Sequence, residues 1–457
     1  MNTTAIILAA GEGTRMKSKV HKVLHTLCGR AMVDYPIRTV RALGVERPVV
    51  VVGHAAECVR AHLSDAVDFA VQDKSTGWGT GHAVMSAQPF IPADGLVFIL
   101  AGDMPLLRVT DLERMRDAVE TGAAGAMLTA VAGDPTGYGR VLRDETGAVS
   151  AIVEHRDCTA EQLGVKEINA SVYCFRASVL LSALPSIGND NNQHEYYLTD
   201  VVSILRADGL RIEPIVVPME DCMGINDRVQ LSQATKVMQR RINERLMRAG
   251  VTIIDPDHTY IEDAVTIGQD TVVHPGCTLQ GDTVIGSDCT LLPHCRMSNA
   301  VVGDATTVEA SVLIDCRVGS HTTVGPNAYL RPKACVGNHC RIGDFVEIKN
   351  SNIGDGTKVS HLTYVGDADL GKNINLGCGV VFSNYDGKRK YRATVGDGAF
   401  IGCNVNLVSP VAVQAGAYIA AGSTITEDVP GGALAIARER QRNLEGWVEA
   451  RKAEGKL

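Results

Sequence analysis

The sequence predicts two folds in tandem: an α/β domain over residues 1–227, a connecting helix over 228–249, and a parallel β-helix over 250–457. Three observations carry this. In the first half of the chain, short β-branched runs alternate with amphipathic stretches. One apolar stripe at helical spacing follows. After it the apolar period becomes six and stays six almost to the end.

In the first region IILAA, PVVVVG, VDFAVQ, LVFILAGD and AMLTAVA are the strands. Between them lie the helical stretches MVDYPIRTVRAL and TDLERMRDAV, the second with Thr110 or Asp111 as its expected cap and Glu113 three residues after Thr110. Such alternation predicts a mostly parallel sheet with helices on both faces, and ligands beyond the carboxyl ends of the strands. IILAAGEG and LVFILAGD put glycine and polar residues at those ends. In IILAAGEGTRM the glycines allow main-chain N–H groups to wrap an anion. The stretch is not a Walker A loop, and Met16 stands where a dinucleotide fingerprint needs its third glycine. By itself it is equally an ordinary strand-to-helix turn.

Leu231, Ala234, Met238, Ile242 and Leu246 form the stripe of the connecting helix, with Asn226 or Asp227 to cap its start and Gly250 its end. Then Ile261, Ile267, Val273, Leu279, Ile285, Leu291 and Met297 recur by six, as do the runs from Val318 to Ile348 and from Val395 to Ile425. The fifth place of each hexad is small or β-branched, as at Thr271, Cys277, Thr283, Cys289, Cys295, Ala328, Ala334, Cys340 and Val346. This is the hexapeptide signature of a parallel β-helix, each hexad forming one side of a coil. It makes the fifth-place cysteines inward fillers rather than ligands. His321 and His339 should stack on neighbouring coils, as a metal pair or as turn residues. Phe382 to Val395 breaks the period, so SNYDGKRKYRAT must bulge as a loop, cationic enough to suit an anionic partner.

The chain has 457 residues, 45% of them apolar and 21% charged, and a net charge of −8, which argues against a nucleic-acid partner. No run is long enough for a membrane span and no signal-peptide layout is present. The 13 cysteines include no Cys-x-x-Cys pair, so a cytoplasmic protein with reduced thiols is expected.

Together the α/β domain opening LAAGEGTRM, the helix, and a β-helix containing EIKN, SHLTYVGDA and NYDGK resemble one family over nearly the whole length. It is the bacterial bifunctional N-acetylglucosamine-1-phosphate uridylyltransferase/glucosamine-1-phosphate N-acetyltransferase family. The resemblance implies a Rossmann-like nucleotidyltransferase domain, a left-handed β-helix, a homotrimer and two successive reactions. Acetyl-CoA acetylates glucosamine 1-phosphate; the product then takes uridylyl from UTP with Mg²⁺, giving UDP-N-acetylglucosamine for peptidoglycan and lipopolysaccharide precursors.

For uridylyl transfer Leu8, Ala9, Ala10 and Gly11 match the nucleotide turn, and Arg15 and Lys22 the catalytic phosphate cations. Asp103 in AGDMPL, preceded by Ala101 and Gly102, and Asn226 in GIND match the Mg²⁺ ligands. Gln72, Gly79 and Thr80 correspond to uracil contacts; Gly139, Glu154 and Asn169 to sugar contacts. For acetyl transfer His361 matches the base, and Arg331, Lys349, Tyr364 and Asn375 the sugar-phosphate contacts. Cys378, Asn384, Tyr385, Cys403, Ala421 and Arg438 match the acetyl-CoA site, and the charged tail after Pro430 would complete a neighbouring subunit's site. The sequence departs from the pattern in a lengthened QDKSTGWGTGHA carrying Trp78, in Ala101 for an aromatic, and in Cys378 and Cys403 for Ala and Ser. Two rivals stand beside this reading. One is another sugar-1-phosphate nucleotidyltransferase with a purely architectural β-helix, against which SHLTY and NYDGK argue. The other is a non-catalytic assembly subunit, which Arg15, Lys22, Asp103 and His361 together oppose.

Overall fold

Successive side chains of the strand Leu96–Ala101 enter two different cores. Leu96, Phe98 and Leu100 pack with Leu112, Met115 and Val119, whereas Val97 and Ile99 pack with Val84, Val201 and Leu205. A strand buried on both faces has no polar side, which is why LVFILA is an unbroken apolar run. The structure, a computed structural model, describes residues 2–457. The chain divides between Gln239 and Arg240 into two units.

The first unit is built on a nine-stranded sheet: β1 (Thr3–Leu8), β2 (Val49–Val52), β3 (Asp68–Val71), β4 (Leu96–Ala101), β5 (Gly125–Val131), β6 (Arg140–Arg143), β7 (Val149–Val153), β8 (Glu167–Arg176) and β9 (Ile212–Val216). The order is β9-β5-β8-β4-β1-β2-β3, with β6 joining β8 and β7 at the side. β1 to β4 run parallel, and β8 is antiparallel to β4 and β5. β8 carries a bulge between Asn169 and Tyr173, with Ser171 in the left-handed region. One expectation is corrected. The helix Val109–Glu120 has Arg108 at its N-cap without a side-chain cap, because Asp111 lies inside the first turn and pairs with Arg114.

The connecting helix is Arg228–Arg248, started by Asp227, whose Oδ1 accepts from Gln230 N at 2.8 Å, and followed by Gly250 at φ 98°. The division between units falls within it. Ala234, Met238, Ile242 and Leu246 of its stripe are buried and Leu231 half-buried.

The second unit is a left-handed parallel β-helix. Its coils stack into three parallel sheets of 11, 10 and 9 strands, each strand pairing with the third one along, as Val272–Val273 does with Thr290–Leu291, until Tyr418–Ile419 pairs with Leu434–Ala435, the second one along. The six-residue ladder is buried throughout except at Ile267, which is half-buried. All the fifth-place residues named above are buried too. Thr271 is satisfied by the coil ahead: its Oγ1 donates to Gly286 O at 2.8 Å and accepts from Cys289 N at 3.0 Å. At the first coils the helix closes over the stack, with Ile242 and Leu246 buried and Asn243 Nδ2 donating to Pro256 O (2.8 Å) and Thr259 O (3.1 Å).

His321 and His339 stack with centroids 4.9 Å apart and planes 1° from parallel. Among the described residues no group of three or more His, Cys, Asp and Glu could hold a metal ion. None of the 13 cysteines is in a disulfide. No described helix is long and apolar enough to cross a membrane.

Candidate active sites

Beyond the carboxyl ends of β1, β3 and β4 the first unit opens a cavity of about 600 Å³. Its lining includes Leu8, Ala9, Ala10, Gly11, Arg15, Lys22, Gln72, Gly79, Thr80, Ala101, Asp103, Glu154, Asn169 and Asn226. Gly102 and Gly139 do not line it. Gly102 N donates to Leu8 O at 2.9 Å, fastening β4 to β1, and Gly139 O accepts from Asn169 N at 2.9 Å.

The glycine turn rests on Lys22: a Cβ at Gly13 (φ 63°) would fall 2.5 Å from Lys22 Cβ, so only glycine fits. Lys22 Nζ pairs with the Asp103 carboxylate and donates to Asn226 Oδ1 at 2.7 Å. Arg15 Nη2 donates to the same Oδ1 at 2.8 Å. Two hard oxygen donors, one charged and one neutral, thus face a single cationic point. That donor set fits Mg²⁺, which keeps few protein ligands when phosphates and water supply the rest.

Gln72 is buried and its Nε2 donates to Gly79 O at 3.1 Å. Thr80 Oγ1 accepts from Leu198 N at 3.0 Å. The β8 bulge turns Asn169 into the cavity wall, its Nδ2 donating to Tyr173 Oη at 2.7 Å and its Oδ1 accepting from Ser171 N at 3.0 Å. Burial raises the Glu154 carboxyl above its usual range, and Asp157, Asp200 and Glu195 add to the effect. Lys74, Tyr138, Glu195 and Thr199 also line the cavity. They went unnoticed in the sequence because they come from loops that no local pattern connects.

On the second unit the expected residues lie along one side of the β-helix, at the two ends of the strands of the 10-stranded sheet and on the sheet before it. His361 ends the strand Lys358–His361, and its Nδ1 bonds Asp344 Oδ1, one coil back, at 2.6 Å. That bond holds the Asp344 carboxyl below its usual range. Tyr364 opens the next strand and its hydroxyl reaches Gly366, which stands in register with Lys349. Arg331 bonds Glu347 at 2.7 Å, and Lys349 lies 4.0 Å from Asp367. Lys390 of the protruding loop, through its contact with Lys349, holds that ammonium below the usual lysine range. Asn384 is buried and bonds Asp367, while Tyr385 is exposed and bridges Lys390. One loop cation is otherwise engaged: Arg392 pairs with Asp369 and donates to Asn350 O at 2.9 Å. Asn375 lies on the sheet of His361, paired with Lys358. Cys378, Cys403 and Ala421 follow on successive coils, linked by Asn404 N to Cys378 O (2.7 Å) and Gly422 N to Cys403 O (2.8 Å). A Cβ on Gly422 would lie 3.7 Å from Arg438 Cδ, so Arg438 passes beside this column.

The MobA-like NTP transferase domain family matches residues 5–165, and the bacterial transferase hexapeptide (six repeats) family matches 264–299 and 315–350. The bifunctional protein GlmU of Clostridium botulinum is 49% identical over 452 residues, 98% of each chain. The chain belongs to the GlmU family. The GlmU proteins of Clostridioides difficile (50% identical over 451 residues, 98% of each chain) and Brevibacillus brevis (50% over 455, 99% of this chain and 98% of that one) agree. As a GlmU-family member the chain is a bifunctional transferase, combining a uridylyltransferase of nucleotidyltransferase type with a hexapeptide-repeat acetyltransferase.

Proposed function

We propose that the cavity joins UTP to N-acetylglucosamine 1-phosphate, releasing pyrophosphate, and that the site on the β-helix first acetylates glucosamine 1-phosphate from acetyl-CoA. The observation that carries the first half is the convergence of Arg15, Lys22, Asp103 and Asn226 on one point beside the glycine turn. A phosphate oxygen of the sugar attacks the α-phosphorus of UTP, and pyrophosphate leaves. Charge gathers on the bridging oxygens, where Arg15, Lys22 and the turn's N–H groups are held ready. Mg²⁺ bound by Asp103 and Asn226 would neutralise further phosphate charge. Gln72 can donate to and accept from the uracil edge, while Glu154 and Asn169 meet sugar hydroxyls.

In the second reaction the substrate amine must be unprotonated to attack the thioester carbon. With His361 Nδ1 bonded to Asp344, Nε2 is left to take the amine proton as the C–N bond forms and CoA thiolate departs. Arg331, Lys349 and Lys390 make an anion site for the sugar phosphate, and Tyr364 and Asn375 border it. Asn384, Tyr385 and the Cys378–Cys403–Ala421 column suit the acyl-CoA arm, with Arg438 near a phosphate. A homotrimer, in which the tail after Pro430 meets a neighbour, and a cytoplasmic location belong to the same reading.

The test is a two-stage assay on the purified chain with product masses measured. Acetyl-CoA and glucosamine 1-phosphate should release CoA thiol, and UTP with Mg²⁺ should convert the product to UDP-N-acetylglucosamine. Absence of free thiol sinks the acetyl half; absence of the nucleotide sugar sinks the uridylyl half.

A further inference from the structure

Trp78 is a large aromatic side chain left 45% exposed on the lining of the nucleotide cavity. An indole face left at a cavity wall is a surface on which a flat ligand can stack. The segment carrying it is held along its length. Asp73 Oδ1 accepts from Ser75 N (2.9 Å) and Ser75 Oγ (2.7 Å). Thr76 Oγ1 donates to Asp73 O at 2.8 Å and bonds His82 Nε2 at 3.1 Å. Tyr196 N donates to Trp78 O at 2.8 Å. Gly79, at φ 100°, presses on Tyr196 so closely that a Cβ would lie 2.4 Å from its carbonyl oxygen.

The indole is braced as well. Lys74 Nζ stands 4.2 Å from the ring centroid and donates to Glu12 Oε1 at 2.8 Å. Glu12 belongs to the glycine turn, so one lysine ties the aromatic wall to the phosphate wall. Gln72 lines the same cavity, and its amide donates to the carbonyl of Gly79, the residue after Trp78, at 3.1 Å. A planar face and an amide edge therefore border the same place, which is what recognition of a nucleobase uses: stacking for affinity, hydrogen bonds for choice of base.

We propose that Trp78 is the stacking wall for the nucleobase of the nucleotide substrate, braced by Lys74 and Glu12. This rests on the reading that the cavity takes UTP. Stacking serves any base, since every base has a π-face. Trp78 thus sets affinity, and discrimination stays with Gln72.

The chain's 2 tryptophans make the test direct. In a Trp447→Phe chain Trp78 is the sole indole, and UTP should change its emission with the same midpoint that calorimetry gives for UTP binding. Trp78→Ala should weaken UTP binding by about tenfold, Trp78→Phe should restore most of it, and the preference for UTP over CTP should survive in both. A melting curve and circular dichroism spectrum matching the parent's report that each variant is folded. The inference is overturned if emission stays constant while calorimetry shows UTP saturating the site, or if Trp78→Ala binds UTP as tightly as its parent. It is also overturned if N-acetylglucosamine 1-phosphate moves the emission and UTP does not. Should calorimetry detect no UTP binding to the parent chain, the reading of the cavity falls, and the inference with it.

Discussion

The two units handle anions with opposite geometry. In the first, strand ends surround a cavity of about 600 Å³ and the cations are already paired, Lys22 with Asp103 and Arg15 with Asn226. In the second, the groups stand on the outside of a solenoid: the side chain of His361 is 53% exposed and that of Arg331 38%. A stack of rungs spaces its side chains accurately but supplies no walls. Water exclusion is thus internal to the α/β unit, whereas the β-helix gains it only when another surface closes over these groups. This is the physical reason a trimer would matter to acetyl transfer more than to uridylyl transfer.

Four substitutions sharpen or break this contrast. The largest effect is expected of Asp103→Ala, which removes one of two oxygen donors and the partner of Lys22. Uridylyl transfer should fall by on the order of a thousandfold, with acetyl transfer unchanged; loss of CoA thiol release instead would mean the domains are wrongly assigned. His361→Ala should cost acetyl transfer about a hundredfold or more and spare uridylyl transfer. If both fail in a folded variant, the sites are not separable. Asp344→Asn keeps the shape but weakens the hold on His361. Its kcat for acetyl transfer should drop roughly tenfold to a hundredfold with KM little changed; a change confined to KM would make Asp344 a substrate contact.

The smallest effect is expected of Glu154→Gln. Burial and three neighbouring carboxylates raise this group in the folded chain above the ordinary value of 4.5. The folded state therefore binds its proton more tightly than the unfolded state. The resulting stability is present at acid pH and is lost as pH rises through the folded pKa. Melting curves should show the variant more stable than the parent by a few degrees at neutral pH but not in acid, at the expense of sugar-phosphate affinity. Equal melting points at neutral pH would show that the carboxylate is not strained.

How much was legible from sequence depended on how local the cause was. The strand alternation and the hexad ladder repeat every few residues, so they could be read directly. Asp227 and Gly250 were legible as helix ends for the same reason. By contrast, Arg15 meets Asn226 across 211 positions, and the β8 bulge that aims Asn169 has no signature of its own. The cationic loop was visible as a break in the period. Yet nothing in KRKYR distinguishes Lys390, which faces Lys349, from Arg392, which is spent on Asp369. The Asp344–His361 pair was overlooked although coil spacing encodes it, since residues one turn of the stack apart must touch.

The closure of the first coils by Asn243 has a wider consequence. Parallel rungs of near-identical shape amount to a short fibre, and a raw end is a template for one more rung. By capturing the carbonyl of Thr259, whose counterpart one coil on, Cys277 O, accepts a rung bond from Tyr260 N, the amide removes an acceptor that an incoming strand would have used. The linking helix is therefore a terminator as well as a joint, and a chain deprived of it would invite end-to-end polymerisation from that side.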